Sequence, residues 1–293
     1  RILPPTRCAN TANNGPNRFG FSGAGNGIAL DATNHRLFAV DGGNNRVLVY
    51  SLNTDNTFPD RVPDYVIGQP NFYTNATATT QSGMNSPRSI AYDSTNNRLF
   101  VSEDVNDRVL VFDVTTITNG ENAVNVLGQA NFTATGELVN QSGMNRPRAI
   151  AYDSANQRLF VSLNSQNRVL IFDVASITDG ENAANVLGQV NFTSSGAATT
   201  QAGMSEPRGL VYDADTNRLF VAQEGNNRVT VYDVASITDG ENAVNVLGQA
   251  NFTSSSAATT QAGMSGPQYV AYDSANDRLF VSEEGNKRVI VFD

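Results

Sequence analysis

The sequence predicts an all-β protein made of repeated four-stranded antiparallel sheets arranged around one axis. Two observations carry this prediction: one pattern occurs five times, and each copy alternates short apolar runs with turns rich in Asn, Asp and Gly. Self-similarity at a fixed period is typical of repeat architectures. No stretch combines a sustained apolar period of 3.6 with capping residues at both ends, so no helix is predicted.

The five copies are recognised by an Arg-Leu-Phe run. Its arginine recurs with a spacing of 62 residues and then of 60 residues three times, at Arg36, Arg98, Arg158, Arg218 and Arg278. In the third copy the predicted strands cover residues 149–152, 158–162, 168–172 and a short run at 185–188. The first hairpin turn, Asp153-Ser154-Ala155-Asn156, has short polar side chains that suit a tight turn.

The units are expected to close into a ring. Four short strands joined by hairpins form the blade of a β-propeller, so residues 1–293 are predicted to be a single propeller domain with five blades. The last copy stops at Asp293, after its third strand. We expect Ile2 and Leu3 to add its fourth strand, because an unpaired outer edge would invite aggregation. The alternative is a six-bladed ring or a fragment of one.

Three motifs of the repeat resemble a known family. The runs are Pro-Arg-x-Ile-Ala-Tyr-Asp, Arg-Leu-Phe-Val-Ser and Asn-Arg-Val-Leu-Val-Phe-Asp, and a further Val-Leu-Gly-Gln-Ala-Asn-Phe segment begins at Val126 and Val246. They resemble NHL repeats, in the long form seen in bacterial proteins. The resemblance implies a propeller with four-stranded blades that often acts as an interaction module in receptors, in surface proteins and beside ligase domains. Some relatives are lyases or strictosidine-synthase-like enzymes, and some with basic faces bind RNA.

Charge and composition exclude several function classes. Acidic residues outnumber basic ones, 28 to 19, giving a net charge of -9, which disfavours nucleic acid as a partner. Cys8 and His35 are the only residues of their types, so disulfide frameworks, Cys/His zinc clusters and three-histidine metal centres are excluded. No apolar run approaches the roughly 18 residues of a membrane span, so no membrane insertion is expected. We expect a secreted, cell-surface or periplasmic protein whose signal peptide is not part of this chain.

Residues repeated in every copy are interpreted as structural. The four methionines, Met84, Met144, Met204 and Met264, each follow a glycine in a linker and are expected to plug the linker into the ring. The arginines that open the third strands are expected to pair with the Asp at the other strand end or with nearby acidic turns. Calcium is possible but not expected, because no Asp-x-Asp-x-Asp-Gly loop occurs. No cofactor or metal is predicted.

Differences between copies point to a candidate mouth of the central channel. The residue after the inner-strand proline varies, with an aromatic residue following it in the last copy, and these candidates are Asn26, Arg88, Arg148, Arg208, Gln268 and Tyr269. The loops between second and third strands should share this face, through Asp41, Glu103, Asp104, Leu163, Gln223, Glu224, Glu283 and Glu284. Three arginines in an acidic rim can accept a carboxylate. The alternative is that they pair with Glu103, Glu224 and Glu283.

The sequence therefore predicts a non-catalytic scaffold that presents a loop face to a protein, a peptide or a small anionic ligand. A glycan partner is also considered, although the variable loops contain no aromatic residue and Trp is absent. The alternative is a propeller enzyme of lyase or hydrolase type. No catalytic residues are assigned, because no copy holds a cluster of acid, base or metal-binding groups that the others lack.

Overall fold

The computed structural model describes residues 14–293, whose strands form five antiparallel sheets in sequence order. The first blade contains β1 (Ala24–Asp31), β2 (Arg36–Asp41), β3 (Arg46–Ser51) and β4 (Tyr65–Ile67). The second contains β5 (Pro87–Asp93), β6 (Arg98–Glu103), β7 (Arg108–Asp113) and β8 (Asn125–Leu127). The third contains β9 (Pro147–Asp153), β10 (Arg158–Leu163), β11 (Arg168–Asp173) and β12 (Asn185–Leu187). The fourth contains β13 (Pro207–Asp213), β14 (Arg218–Gln223), β15 (Arg228–Asp233) and β16 (Asn245–Leu247). The fifth contains β17 (Pro267–Asp273), β18 (Arg278–Glu283) and β19 (Arg288–Phe292).

This arrangement is a five-bladed β-propeller, as the repeat predicts. Strands of one blade pair in chain order, and the first strand of each blade packs beside the first strand of the next, from β1 to β17. The first strands therefore lie innermost. The only helical segments among the described residues are two short 3-10 turns, Gly42–Asn44 and Asn164–Gln166. The predicted closing strand at Ile2 and Leu3 lies outside the described residues.

The hairpin turns depend on residues in the left-handed region. In the third blade Gln157 has φ 51°, one position later than the turn residues that the sequence suggested. Asp153 holds this turn, because its carboxylate accepts hydrogen bonds from the Asn156 side chain at 2.9 Å and from Arg158 Nε at 2.9 Å. The equivalent turns place His35, Asn97, Asn217 and Asp277 in the same region. Short-range side-chain hydrogen bonds thus hold this hairpin turn in place.

The core lies between blades rather than within one sheet. On β6, Leu99 packs toward the first blade and Phe100 toward the third, and both are fully buried. The Phe100 ring lies 5.7 Å from that of Tyr152 on the next inner strand, and the same pair recurs at three other blade junctions. Each large buried side chain contributes about 1.5 to 3 kcal/mol through the area it removes from water.

The arginines that open the third strands fasten the linkers to the blades. Four of them, Arg46, Arg108, Arg168 and Arg228, are fully buried. Arg46 donates to the carbonyl oxygens of Phe72 at 2.7 Å and Gly20 at 2.9 Å. The predicted pairing with the Asp at the other strand end is wrong, because the side chain extends instead toward the loop that precedes its own strand.

Their partners in that loop are not always charged. Arg46, Arg108 and Arg288 bind Asp41, Glu103 and Glu283, respectively. Arg168 and Arg228 bind the side-chain oxygens of Gln166 and Gln223. Arg168 is buried and has no carboxylate partner in this loop. Burial lowers the pKa of Arg168 to about 10, so the guanidinium group is still charged at neutral pH. These residues form no cationic ring open to a ligand.

The four methionines are fully buried, and each lies against the glycine that follows the outer strand of the preceding blade. Gly128 has φ 90°, and a Cβ added there would lie 2.8 Å from Met144 Sδ. A side chain at this glycine would displace the methionine. The plug predicted for these residues agrees with their burial in the blade junctions. In the described part of the chain, no helix is long and apolar enough to span a membrane.

Candidate functional site

The candidate site is set by the start of each inner strand. In the third blade Pro147 pairs with Leu163, and a register shift follows before the regular pairing of Ile150 with Val161. The Ala149 N–H that this irregularity frees donates to Ser162 Oγ at 2.9 Å. A bulge of this kind redirects the side chain at the irregular position. Arg88, Arg148, Arg208 and Gln268 all follow the proline at this place.

Asp104 joins three arginines from two blades. Its carboxylate lies 2.9 Å from Arg88 Nη2, 3.1 Å from Arg146 Nε and 3.3 Å from Arg148 Nη1. Asp104 is almost fully buried. Burial opposes its ionisation, but Arg146, Arg148 and Arg88 together hold the pKa of Asp104 below its usual value. Asp107, which accepts the Arg146 backbone N–H at 2.8 Å, is a second acidic neighbour, so three guanidinium groups face two carboxylates and an excess of positive charge remains.

Arg148 is the most constrained member of this cluster. Its side chain is 13% exposed, and its Nε is buried without a hydrogen-bond partner. Burial lowers the pKa of Arg148, Asp104 opposes that effect, and the like charges of Arg88 and Arg208 add to it. A buried donor without a partner is costly for the folded protein. An incoming acceptor would relieve both the missing hydrogen bond and the charge repulsion.

Arg208 and Gln268 continue the cluster on the fourth and fifth blades. Arg208 forms an ion pair with Glu224. Gln268 Nε2 donates to Glu224 Oε1 and to Glu284 Oε2, each at 2.9 Å. The mouth thus has a positive side around Asp104 and a more acidic side around Glu224 and Glu284.

Tyr269 is the largest of the five residues that occupy the equivalent position on the inner strands. The other inner strands have Gly27, Ser89, Ala149 and Gly209 there, and a Cβ added to Gly209 would lie 2.8 Å from the Tyr269 Cα. Small residues are required where two inner strands approach this closely. Burial raises the pKa of Tyr269, while Arg208, Arg88 and Arg148 oppose the rise, which places all three within electrostatic reach of the ring. The side chain of Asn26 lies outside the described part of the site.

The predicted loop face divides into two sets. Glu103, Gln223 and their equivalents are buried, and hydrogen bonds to the third-strand arginine and nearby groups occupy their polar atoms, while Leu163 lies in the apolar core. The positions that cannot serve an exposed face are Asp41, Glu103, Leu163, Gln223 and Glu283. The next position in each loop does reach the mouth, through Asp104, Glu224 and Glu284.

The alternative pairing of the mouth arginines with Glu103, Glu224 and Glu283 is correct only for Glu224. Glu103 binds Arg108 and Glu283 binds Arg288, because these carboxylates point back into their own blade. Arg146 was not expected at the site. The visible signal was the Arg-Pro-Arg run at 146–148, since the equivalent positions of the other copies have Ser86, Glu206 and Gly266.

Chemically, the cluster can bind an anion but offers few groups for catalysis. Asp104 is held ionised by its arginines, which makes it a weak proton acceptor. His35 lies in the first hairpin turn, with Nδ1 2.8 Å from Asn56 Oδ1, and does not join the cluster. Among residues 14–293, no group of three or more His, Cys, Asp or Glu side chains is placed to hold a metal ion.

Comparisons with known proteins support the propeller architecture. No curated protein matches the sequence. A solved chain from a nidogen/laminin complex superposes with a TM-score of 0.54 at 17% identity, covering 91% of this chain and 74% of that chain. At this identity the likeness concerns the fold alone.

The family match differs from the NHL family that the motifs suggested. Residues 27–243 match the family model described as "Lactonase, 7-bladed beta-propeller". This match covers most of the chain, beginning within β1 and including β5, β9 and β13. The chain therefore belongs to this lactonase family of β-propellers.

Proposed function

We propose that the protein is a non-catalytic binding propeller whose channel mouth takes a small carboxylate ligand. The observation that carries this proposal is the meeting of Arg88, Arg146 and Arg148 on the single carboxylate of Asp104. A ligand carboxylate would share the guanidinium donors that Asp104 leaves unoccupied. Bidentate arginine–carboxylate contacts are among the stronger polar contacts in proteins.

The buried Nε of Arg148 supports a ligand that enters the cluster rather than one that rests on its rim. Tyr269 offers a phenol whose pKa the charges of Arg208, Arg88 and Arg148 affect, and Gln268 offers an amide. These groups suit a compact hydroxy acid, whose carboxylate binds arginine and whose hydroxyl groups bind the amide or phenol. An acidic side chain of a protein or peptide could present the same carboxylate.

The second candidate is a hydrolase that opens a cyclic ester, and it rests on the family match. Such an enzyme needs a group that activates water, and the carboxylates at the mouth are ion-paired or hydrogen-bonded. The arginine cluster suits the acid product better than the chemical step. The resemblance of the repeat unit to NHL repeats favours an interaction role, and we propose a secreted, cell-surface or periplasmic location for the protein.

Calorimetric titration tests the proposal with citrate and gluconate as carboxylate probes and glucose as the neutral control. We expect the acids to bind and glucose not to bind. Arg148→Gln should weaken binding about 10-fold to 100-fold, because it removes a charge-assisted contact worth about 1.5 to 3 kcal/mol. The matched control is Arg218→Gln, since Arg218 is exposed at the opposite end of its sheet from the mouth.

Two results would contradict the proposal. If both variants lose the same amount of binding affinity, then binding depends only on the overall charge of the protein and not on the arginine cluster. Hydrolysis of glucono-δ-lactone by the native protein, followed by a pH-stat and lost in Arg148→Gln, would favour the enzyme instead.

A further inference from the structure

The channel mouth repeats one polar pairing in three of its blades. The residue after the inner-strand proline donates to the side chain of the loop residue 16 positions later, as Arg88 Nε does to Asp104 Oδ2 at 3.2 Å. The same pairing joins Arg208 to Glu224 and Gln268 to Glu284. Each of these blades thus supplies a carboxylate for its own mouth residue.

Two of these loop carboxylates also reach the mouth residue of the following blade. Asp104 of the second blade lies 3.3 Å from Arg148 Nη1 of the third. Glu224 Oε1 of the fourth blade accepts a hydrogen bond from Gln268 Nε2 of the fifth at 2.9 Å. Each of the two carboxylates therefore bridges the mouth residue of its own blade and that of the next blade.

The third blade lacks this bridge, because its loop residue is Asn164. The Asn164 Nδ2 atom is buried without a hydrogen-bond partner, and so is the Nε of Arg148, the residue 16 positions earlier. In the described part of the chain, no acidic side chain joins Arg148 to Arg208. Two unpaired buried donors therefore occupy the positions at which the neighbouring blades have a mouth residue and its carboxylate.

The charges at this position also lack an acceptor. Burial lowers the pKa of Arg148, Asp104 opposes that effect, and the like charges of Arg88 and Arg208 lower the pKa further. Arg208 therefore lies within electrostatic reach of Arg148. Glu224 accepts from Arg208 Nε, but nothing in residues 14–293 accepts a hydrogen bond from the two terminal nitrogens of Arg208. An acceptor between the two arginines would satisfy donors that are costly to leave unpaired.

We propose that the carboxylate of a ligand binds between Arg148, Asn164 and Arg208, which together form a carboxylate seat at the junction of the third and fourth blades. One ligand oxygen accepts from Arg148 Nε and Asn164 Nδ2, and the other accepts from a terminal nitrogen of Arg208. The ligand thus supplies the bridging carboxylate that the loop of the third blade lacks. This inference rests on the proposed function, because it assigns the carboxylate of the ligand to one place in the mouth.

The repeat itself indicates the class of ligand that suits the seat. At the equivalent places, Asp104 and Glu224 each present a planar carboxylate to the mouth residues of two blades. A ligand carboxylate reproduces that geometry, and its charge-assisted hydrogen bonds to arginine are stronger than those of a neutral acceptor. The arginines are open to the mouth, since the side chains of Arg148 and Arg208 are 13% and 23% exposed.

The substitution Asn164→Asp tests this inference, because it restores the bridging carboxylate of the other blades. Calorimetric titration with gluconate and thermal unfolding are measured for this variant, for the native protein and for Ser165→Asp. We expect Asn164→Asp to weaken gluconate binding by about 10-fold or more and to raise the Tm by about 2 °C or more. Ser165→Asp is the matched control, since it adds the same charge at the exposed next residue, and it should weaken binding by less than about 3-fold.

The inference is wrong if Asn164→Asp binds gluconate as tightly as the native protein, because the carboxylate would then bind elsewhere in the mouth and only the proposed function would remain. It is also wrong if the two variants lose affinity equally, since the effect would then come from net charge. Binding of chloride as tightly as gluconate would contradict the selection of a carboxylate. Failure of the native protein to bind gluconate or citrate would overturn the proposed function together with the seat.

Discussion

Asp104 and Glu103 are neighbours in sequence but have opposite roles. Asp104 turns toward the channel mouth and holds three arginines. Glu103 turns into the second blade, where Arg108, the Asn85 N–H and the Asn106 side chain donate to its carboxylate. Successive residues of an extended chain point to opposite sides. Two neighbouring residues therefore serve different purposes: Asp104 belongs to the candidate ligand site, and Glu103 makes a structural contact inside its blade.

The buried carboxyl group of Glu103 predicts a pH dependence of stability. Burial raises the pKa of Glu103 to about 7, although Arg108 opposes the rise. Between the usual value of 4.5 and pH 7 the folded state binds more protons than the unfolded state, so this residue stabilises the fold less as the pH increases. Glu103→Gln should remove that loss, and Gln223 shows that the repeat accepts a glutamine at this position.

Urea unfolding of Glu103→Gln and the native protein between pH 4 and 9 measures this effect. The stability of the variant relative to the native protein should rise by up to about 3 kcal/mol from pH 4.5 to 7 and then level off. A constant difference across this range would show that Glu103 is ionised throughout. If the stability of the variant relative to the native protein falls as the pH rises, the pKa of Glu103 is lowered in the folded protein and the prediction is wrong.

At the scale of the repeat element, the third-strand arginine connects the blade to two linker segments. Arg228 donates to the carbonyl oxygens of Thr200 and Gly203, each at 2.9 Å, and to that of Phe252. These carbonyl oxygens belong to linkers on either side of the fourth blade. A single side chain thus ties three chain segments together where no strand pairing is available.

Arg228→Met should lower the free energy of unfolding by about 3 to 5 kcal/mol, because it leaves these buried acceptors without a donor. Arg218→Met is the matched control, since Arg218 opens the neighbouring strand but is exposed, and it should change stability by about 0.5 kcal/mol or less. Chemical denaturation of both variants measures the difference. Similar losses in the two would refute the fastening role.

The repeat made the strands predictable from the sequence. It did not show which residues form hydrogen bonds or ion pairs with the side chains of the repeat. Strand positions, the alternating Leu and Phe residues and the methionine plugs follow from short-range patterns. The partner of Arg108 does not, because Asp113 and Glu103 are both five residues away and only the direction of the side chain decides between them. Arg146 was missed for a related reason, since its partner Asp104 is distant in sequence and lies on another blade.

For the whole molecule, the junction between the last and first blades differs from the other four. No contact comparable to that between successive inner strands joins β17 to β1 in residues 14–293. Apolar side chains on the first and last blades are exposed, including Ile28 at 73% and Val289 at 60%. Closure by Ile2 and Leu3 stays a prediction, because those residues lie outside the described part of the chain.

Tyr269 lies beside this junction and explains why the channel mouth is asymmetric. Four inner strands have a small residue at its position because the next strand packs against it. The fifth can hold a tyrosine, and its ring lies within electrostatic reach of Arg88, Arg148 and Arg208. The sequence predicted that these residues share one face of the propeller. It did not reveal that the bulge after each proline is what directs their side chains toward the channel mouth.

The most direct test of the binding site is a crystal structure of the protein with citrate at saturating concentration. We expect density for a carboxylate within hydrogen-bonding distance of Arg148, with a further polar contact to Tyr269 or Gln268. A structure in which citrate is absent from the mouth, and Arg88, Arg146 and Arg148 contact only Asp104 and water, would contradict it.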